Sequence, residues 1–297
     1  KGDCQNWGCS PLLYGELLIV CGAKGGCAGS YTAFDKTSGK AAWTWPGAGE
    51  SYGVNNAASP VLGKLAGRDV LVLIGYTTRE LGGLHKPGEK GEKPTDVEAL
   101  ALFGVDPLNA KTLFHEALIG QMNTPLVLNG VIYATRVEPE KTGSMYGTYF
   151  TLAALKPELA GKEEWKINEL WRAKDRNSSR RCVFSPGTDG QRIFFAREGS
   201  GLMCYDAVTG RELWTSKDVG AIHHDSASCS PVCVDGKVIF YENYSGQVAC
   251  VKAEDGSALW KFNAFAKDEG KYAAPALAGG MLVLRGKNSL KCFALKP

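Results

Sequence analysis

At 297 residues, with 44% hydrophobic and 22% charged side chains, the chain is long and apolar enough to bury a large core. Its net charge of +3 lacks the concentrated Lys/Arg block that a nucleic-acid-binding surface needs, since the most basic stretch, Lys174 to Arg181, is also rich in Asn and Ser. Apolar runs such as PLLYGELLIV are broken by Gly or Glu well short of the roughly 18 residues required to span a bilayer as a helix.

Taken in order, the chain alternates two signals. The first is a Ser-Pro or similar dipeptide, an apolar strand, a Gly-containing turn and a second strand: SPLLYGELLIV from Ser10, TPLVLNGVIYA from Thr124 and SPVCVDGKVIFY from Ser230, with looser versions from Ser185 and Ala274. The second is a hairpin with Asp before a Gly-containing turn and an aromatic residue after it. It appears as AFDKTSGKAAW (Ala33 to Trp43), GVDPLNAKTLF (Gly104 to Phe114), GLMCYDAVTGRELW (Gly201 to Trp214) and CVKAEDGSALW (Cys250 to Trp260). Weaker copies run from Ala154 to Trp171 and from Cys292. Positions equivalent to Asp206 are Asp35, Asp106, Lys156, Lys252 and Ala294, in steps of 71, 50, 50, 46 and 42 residues. Four short strands joined by Gly or Asn-Gly turns therefore fill each period, which is one blade of a β-propeller.

The pattern Ala-x-Asp-x-x-Ser/Thr-Gly-x-x-x-Trp after Ser-Pro-x-x-x-x-Gly resembles the repeat of the pyrroloquinoline quinone (PQQ)-like β-propellers, with its best copies at residues 30–45, 201–215 and 247–262. The resemblance implies an all-β fold of four-stranded antiparallel blades in one domain spanning 1–297. Six blades are visible, at about 9–46, 57–118, 122–173, 182–216, 229–263 and 273–297. Because eight blades are usual in that family and the sixth lacks a fourth strand, about two further blades are expected before Lys1 or supplied separately, completing an eight-bladed ring. Trp43, Trp214 and Trp260, with Phe114 and Trp171 in matching places, are expected to anchor the blades in buried positions.

The family includes quinoprotein dehydrogenases and a lipoprotein scaffold of the outer-membrane barrel-assembly machinery, and fold alone does not choose between them. Such dehydrogenases hold PQQ over a Trp floor, usually with Ca²⁺, a catalytic Asp and a bond between adjacent cysteines. This sequence has no Cys-Cys pair and no acidic cluster to ligate Ca²⁺. The expectation is a periplasmic or otherwise extracytoplasmic scaffold with no catalytic residues, metal or cofactor. The alternatives are a PQQ-dependent dehydrogenase-like enzyme and a propeller that binds a small ligand.

Two long polar insertions, beginning at Thr77 and Arg136, fall between strands two and three of adjacent blades, so both emerge on one face. Residues leading into the innermost strands share it, placing Asn6, Trp7, Asn55, Asn56, Asn123, Arg180, Arg181, His223, His224, Asp225, Lys271 and Tyr272, with Gln121, around the mouth of a central channel. That ring leans positive, so a protein partner with an acidic segment or an anionic small ligand is the expected occupant. The opposite face, of tight turns such as Thr37-Ser38-Gly39, Val208-Thr209-Gly210 and Glu254-Asp255-Gly256, reads as structural.

Other motifs carry less. Gly49-Glu50-Ser51-Tyr52-Gly53 has nucleophile-elbow spacing but leads to Pro60 and a strand rather than to a helix. His223-His224-Asp225 has metal-ligand residue types, yet neighbours on an extended chain point to opposite sides. No C-x-x-C-H is present for haem attachment, and Asn177 and Asn243 begin glycosylation sequons. Of ten cysteines, Cys204, Cys250 and Cys292 occupy one repeat position and read as small buried residues. Cys229 and Cys233, on one strand, lie too far apart to bridge. Cys21 with Cys27, and Cys4 with Cys9, are the local disulfide candidates.

Overall fold

A computed structural model describes residues 9–22, 29–54, 58–78, 99–120, 123–139, 148–173, 184–197, 201–216, 219, 230–242, 244–267, 269–270 and 273–295. These form strands only, and no helix is long and apolar enough to cross a membrane. The chain divides into two compact units, Lys1–Arg180 and Arg181–Pro297.

The first unit holds three antiparallel sheets. Sheet one is β1 (Leu12–Tyr14), β2 (Leu17–Gly22), β3 (Ser30–Asp35) and β4 (Ala41–Trp45), paired in that order. Sheet two contains β5 (Gly53–Val54), β6 (Val61–Leu65), β7 (Arg68–Tyr76), β8 (Leu100–Val105) and β9 (Thr112–Ala117). Here β5 and β6 both pair with β7, so the expected four strands become five. Sheet three is β10 (Leu126–Leu128), β11 (Val131–Pro139), β12 (Thr148–Leu159) and β13 (Trp165–Arg172). The insertion expected from Arg136 starts later than its sequence suggested, because β11 continues to Pro139 and pairs in register with β12 as far as Pro139↔Thr148.

The second unit repeats the arrangement. Its first sheet is β14 (Gly187–Thr188), β15 (Arg192–Arg197), β16 (Gly201–Asp206) and β17 (Glu212–Ser216), and its second is β18 (Val232–Val234), β19 (Lys237–Glu242), β20 (Gln247–Lys252) and β21 (Ala258–Asn263). The last sheet has three strands, β22 (Ala276–Ala278), β23 (Met281–Arg285) and β24 (Leu290–Ala294). Cys292 is therefore exposed, whereas the expectation was burial: no fourth strand covers it among the described residues. Cys204 and Cys250, each covered by such a strand, are fully buried.

One register unites the five sheets that have a fourth strand. A small third-strand residue faces a fourth-strand aromatic in Ala33↔Trp43, Gly104↔Phe114, Ala154↔Trp171, Cys204↔Trp214 and Cys250↔Trp260, and the register shifts immediately afterwards each time. The bulge absorbs an extra residue and increases local twist, and the small partner leaves room for the ring. Trp43 and Phe114 are buried, while Trp171, Trp214 and Trp260 are half-buried.

Two of these indoles reach the neighbouring sheet. Trp43 Nε1 donates to the carbonyl of Pro107 at 3.0 Å, and Trp214 Nε1 to the carbonyl of Ala253 at 3.1 Å. Both acceptors follow directly after the position equivalent to Asp206 in the next repeat, so the same bond recurs at the same place in each unit. A Cβ built on Gly256, whose φ is +71°, would collide with the Trp214 ring, so the next blade's turn lies flat against it.

The Asp of the repeat builds that turn. Asp206 Oδ1 accepts the Val208 and Thr209 amides at 3.1 and 2.7 Å and the Thr209 hydroxyl at 2.7 Å, and Asp35 does the same for Thr37 and Ser38. Spacing to Ser or Thr three residues on is thus hydrogen-bond chemistry, an Asx turn closed by glycine at positive φ. Hydrogen bonds from Thr209 hold the Asp206 carboxyl below its usual range. A carboxyl depressed on folding stabilises above its unfolded value near 3.9 and loses that contribution as pH falls through the folded value. Asp206→Ala is therefore expected to lower Tm at neutral pH, with the difference from the parent shrinking as thermal scans move below about pH 4. A gap that widens in acid would contradict this role.

Candidate functional site

Of the residues expected at the channel mouth, Asn6, Trp7, Asn55, Asn56, Arg180, Arg181, His223, His224, Asp225, Lys271 and Tyr272, with Gln121, lie outside the described residues. Asn123 is described, and its side chain turns inward. It is 2% exposed and exchanges hydrogen bonds with the Thr135 hydroxyl on β11 at 3.0 and 3.2 Å, pinning the entry to sheet three. Residues 79–98 and 140–147, the bodies of the two long insertions, also lie outside the described residues, as do Cys4, Cys27, Asn177 and Asn243.

The feet of those insertions are described. β7 delivers the chain to the first and β11 to the second, and both strands are in the first unit. An antiparallel sheet brings the ends of its second and fourth strands to one edge, so β9, β11 and β13 all finish there. Arg136 Nη1 donates to Glu116 at 3.0 Å and its Nε lies 3.5 Å from Glu169. Arg172 makes a two-pronged contact with Glu169 at 3.0 and 2.9 Å and a further bond to Glu138 at 2.7 Å. Hydrogen bonds donated to Glu169, opposed by partial burial and reinforced by Glu138, push the Arg172 guanidinium still further from deprotonation.

These five side chains form a ridge of three carboxylates and two guanidiniums, each a fifth to a third exposed. Backbone bonds hold it rigidly: Val137 donates to the Leu118 carbonyl at 2.8 Å and Gly120 to that of Thr135 at 2.7 Å, tying the exit of sheet two to β11. Such an array holds loop feet in place and presents oriented charge, but offers neither an unpaired nucleophile nor an acid–base pair. Sequence reading missed it because its members are distant along the chain. The one local clue was the Glu169/Arg172 spacing.

The opposite edge carries clefts rather than ridges. One of about 280 Å³ lies between sheets two and three, lined by Arg68, Asp106, Lys111, Glu163 and Trp165 among others. Its cations are engaged, Arg68 with the Lys162 carbonyl at 2.9 Å and Lys111 with Glu163 at 2.8 Å. These contacts stitch the long β12–β13 hairpin to sheet two. Among the described residues, no group of three or more His, Cys, Asp or Glu side chains is arranged to hold a metal ion. The Gly49–Gly53 motif is structural: Glu50 accepts from the Gly47 amide at 2.6 Å and the Thr112 hydroxyl at 3.1 Å, and Tyr52 stacks on Trp45.

Comparison with known proteins falls on this framework. A family model described as outer membrane protein assembly factor BamB matches residues 151–263 and 224–295. Among solved structures, the quinohemoprotein alcohol dehydrogenase of Comamonas testosteroni superposes with a TM-score of 0.57 over 95% of this chain and 52% of its own, at 12% identity. The chain is a β-propeller of PQQ-like repeats. A curated relative of this PQQ-like propeller, the outer membrane protein assembly factor BamB of Nitrosomonas eutropha, is 32% identical over 130 residues. That match takes in 43% of the present chain and 29% of the relative, less than a third of its length. The crystal structure of BamB from Moraxella catarrhalis aligns over 94% of the chain and 79% of its own at 15% identity, with a TM-score of 0.45. Within each unit the recurring geometry lies in the hairpins of the individual sheets.

Proposed function

We propose that this PQQ-like propeller is an extracytoplasmic, non-catalytic scaffold for outer-membrane protein assembly, which engages a protein partner through the face bearing its two long insertions. The observation that carries the reading is the match of residues 151–263 and 224–295 to the family model of outer membrane protein assembly factor BamB. The charged ridge at the foot of the insertions suits such a role, since it makes a rigid base for variable loops and spends its ionic groups on one another. The positive groups proposed around the channel mouth, Arg180, Arg181 and Lys271, favour an acidic partner segment whose binding weakens with salt.

The test is site-specific photocrosslinking in cells. A photoreactive side chain at Thr78, beside the first insertion, is expected to capture an outer-membrane assembly component. The same group at Val208, 80% exposed on the tight-turn face, is not. Crosslinks from Val208 alone would place the partner on the other side. No cofactor belongs to this reading, so the purified protein is expected to show no quinone absorption. A stoichiometric quinone spectrum would favour the dehydrogenase-like alternative.

A further inference from the structure

The structure brings together two thiols for which the sequence offered nearer candidate partners. Cys9 stands just before β1 and Cys21 lies on β2, and both pack against the same apolar cluster around Tyr31, Trp43 and Trp45. The β1–β2 register, Leu12↔Ile19, carries the residues preceding β1 towards Cys21. Their side chains are in hydrogen-bonding contact, with Cys21 donating to Cys9. Cys21 also faces Tyr31 directly across the sheet. Tyr31 is itself fully buried, its hydroxyl donating to the Ala58 carbonyl at 3.0 Å.

We infer that Cys9 and Cys21 form a redox-active dithiol, closed to a disulfide by exchange with a disulfide-bearing oxidant, that fastens the chain entering β1 to the second strand of the first sheet.

The chemistry requires thiols near enough to join and one that attacks first. Two thiols within hydrogen-bonding reach of each other lie near the separation a disulfide needs, unlike cysteines on separated strands. Cys9 is the entering nucleophile. Both residues are half-buried rather than sealed off, and the hydrogen bond from Cys21 holds the Cys9 thiol below its ordinary pKa while raising that of Cys21. The Cys9 thiolate attacks one sulfur of the oxidant's disulfide, giving a mixed disulfide and a thiolate that takes up a proton. With Cys9 no longer an anion, Cys21 loses the hydrogen-bond acceptor that kept its proton in place. The Cys21 thiolate then attacks Cys9 Sγ, forming the Cys9–Cys21 bond and expelling the oxidant's second sulfur as a thiol once protonated. Two protein thiols are oxidised by two electrons, and one disulfide is reduced to two thiols.

The pairing competes with the Cys4–Cys9 and Cys21–Cys27 bridges that proximity in sequence suggests. Cleavage after Trp7, Glu16 and Lys24 puts Cys4, Cys9, Cys21 and Cys27 on separate peptides. The native protein is treated with oxidised glutathione, quenched with an alkylating reagent, digested and read by mass spectrometry. A linked peptide joining Cys9 to Cys21 is expected as the main product, together with a reductant-dependent fall in Tm. Cys9→Ser and Cys21→Ser are each expected to abolish the crosslink and the reductant sensitivity. The inference is overturned by alkylation of both Cys9 and Cys21 in the oxidised wild-type protein, or by recovery of Cys4–Cys9 or Cys21–Cys27 peptides instead. The wild-type readout needs no variant to fold.

Discussion

Trp45→Ala is expected to cost about 3–5 kcal/mol, enough to unfold much of the first sheet at growth temperature. The side chain has no exposed surface and is among the largest fully buried groups in the protein. Its ring meets Phe103 edge-on at 5.0 Å between centroids, Tyr52 at 6.2 Å and Tyr31 at 6.3 Å. Its Nε1 donates to Thr112 Oγ1 at 2.9 Å, which in turn donates to Glu50. Truncation leaves a cavity bordered by two sheets and a threonine short of its indole donor, so loss of packing and loss of the polar chain add together. Urea denaturation checks the result. A midpoint within error of the parent would show that the aromatic cluster contributes little.

Gly246→Ala has the second-largest expected effect, about 2–4 kcal/mol, combining a left-handed backbone cost with an overlap that cannot be relieved locally. Gly246 closes the short connection between β19 and β20 at a φ of +74°, and a Cβ there would fall on the backbone carbonyl of Phe265. The same glycine donates to the Glu242 carbonyl at 3.0 Å and accepts from the Ala264 amide at 2.8 Å, so it cannot shift without breaking both bonds. Gly190→Ala is the control: its φ is also positive but nothing lies within contact of the added carbon. Thermal melts of the pair are expected to separate, with Gly246→Ala clearly the lower. Equal losses would mean that dihedral preference alone sets the cost.

Much of the fold was legible because the decisive interactions are local. An Asp whose carboxylate binds amides two and three residues on, followed by a glycine and a large aromatic, states its turn and its return strand within about ten residues. Cys204 and Cys250 were readable as small buried residues for the same reason, since the repeat set each opposite its own Trp. Cys292 was misjudged because burial there depends on a fourth strand, which a shared hairpin pattern cannot guarantee. The fifth strand of sheet two, Gly53–Val54, was invisible because two residues carry no periodicity. The site was less readable still. Glu116, Arg136, Glu138, Glu169 and Arg172 acquire meaning only when three strand ends converge, and Asn123 looked like a solvent-facing polar residue until Thr135 was found beside it. Cys9 and Cys21, separated by a whole hairpin, were likewise hidden behind nearer candidates.

The indole-to-carbonyl bond between successive sheets has a consequence for how such a chain can lengthen. In the joints made by Trp43 and Trp214 the donor sits on the outermost strand of one sheet and the acceptor is the carbonyl just past the Asp position of the next, so the receiving half does not depend on the neighbour's side chains. Because the acceptor is main chain, any repeat placed after one of these tryptophans arrives already fitted with the receiving half of the joint. Copy number can therefore change by whole units through unequal recombination without inventing a new interface, whereas loss of part of a unit leaves one indole unanswered.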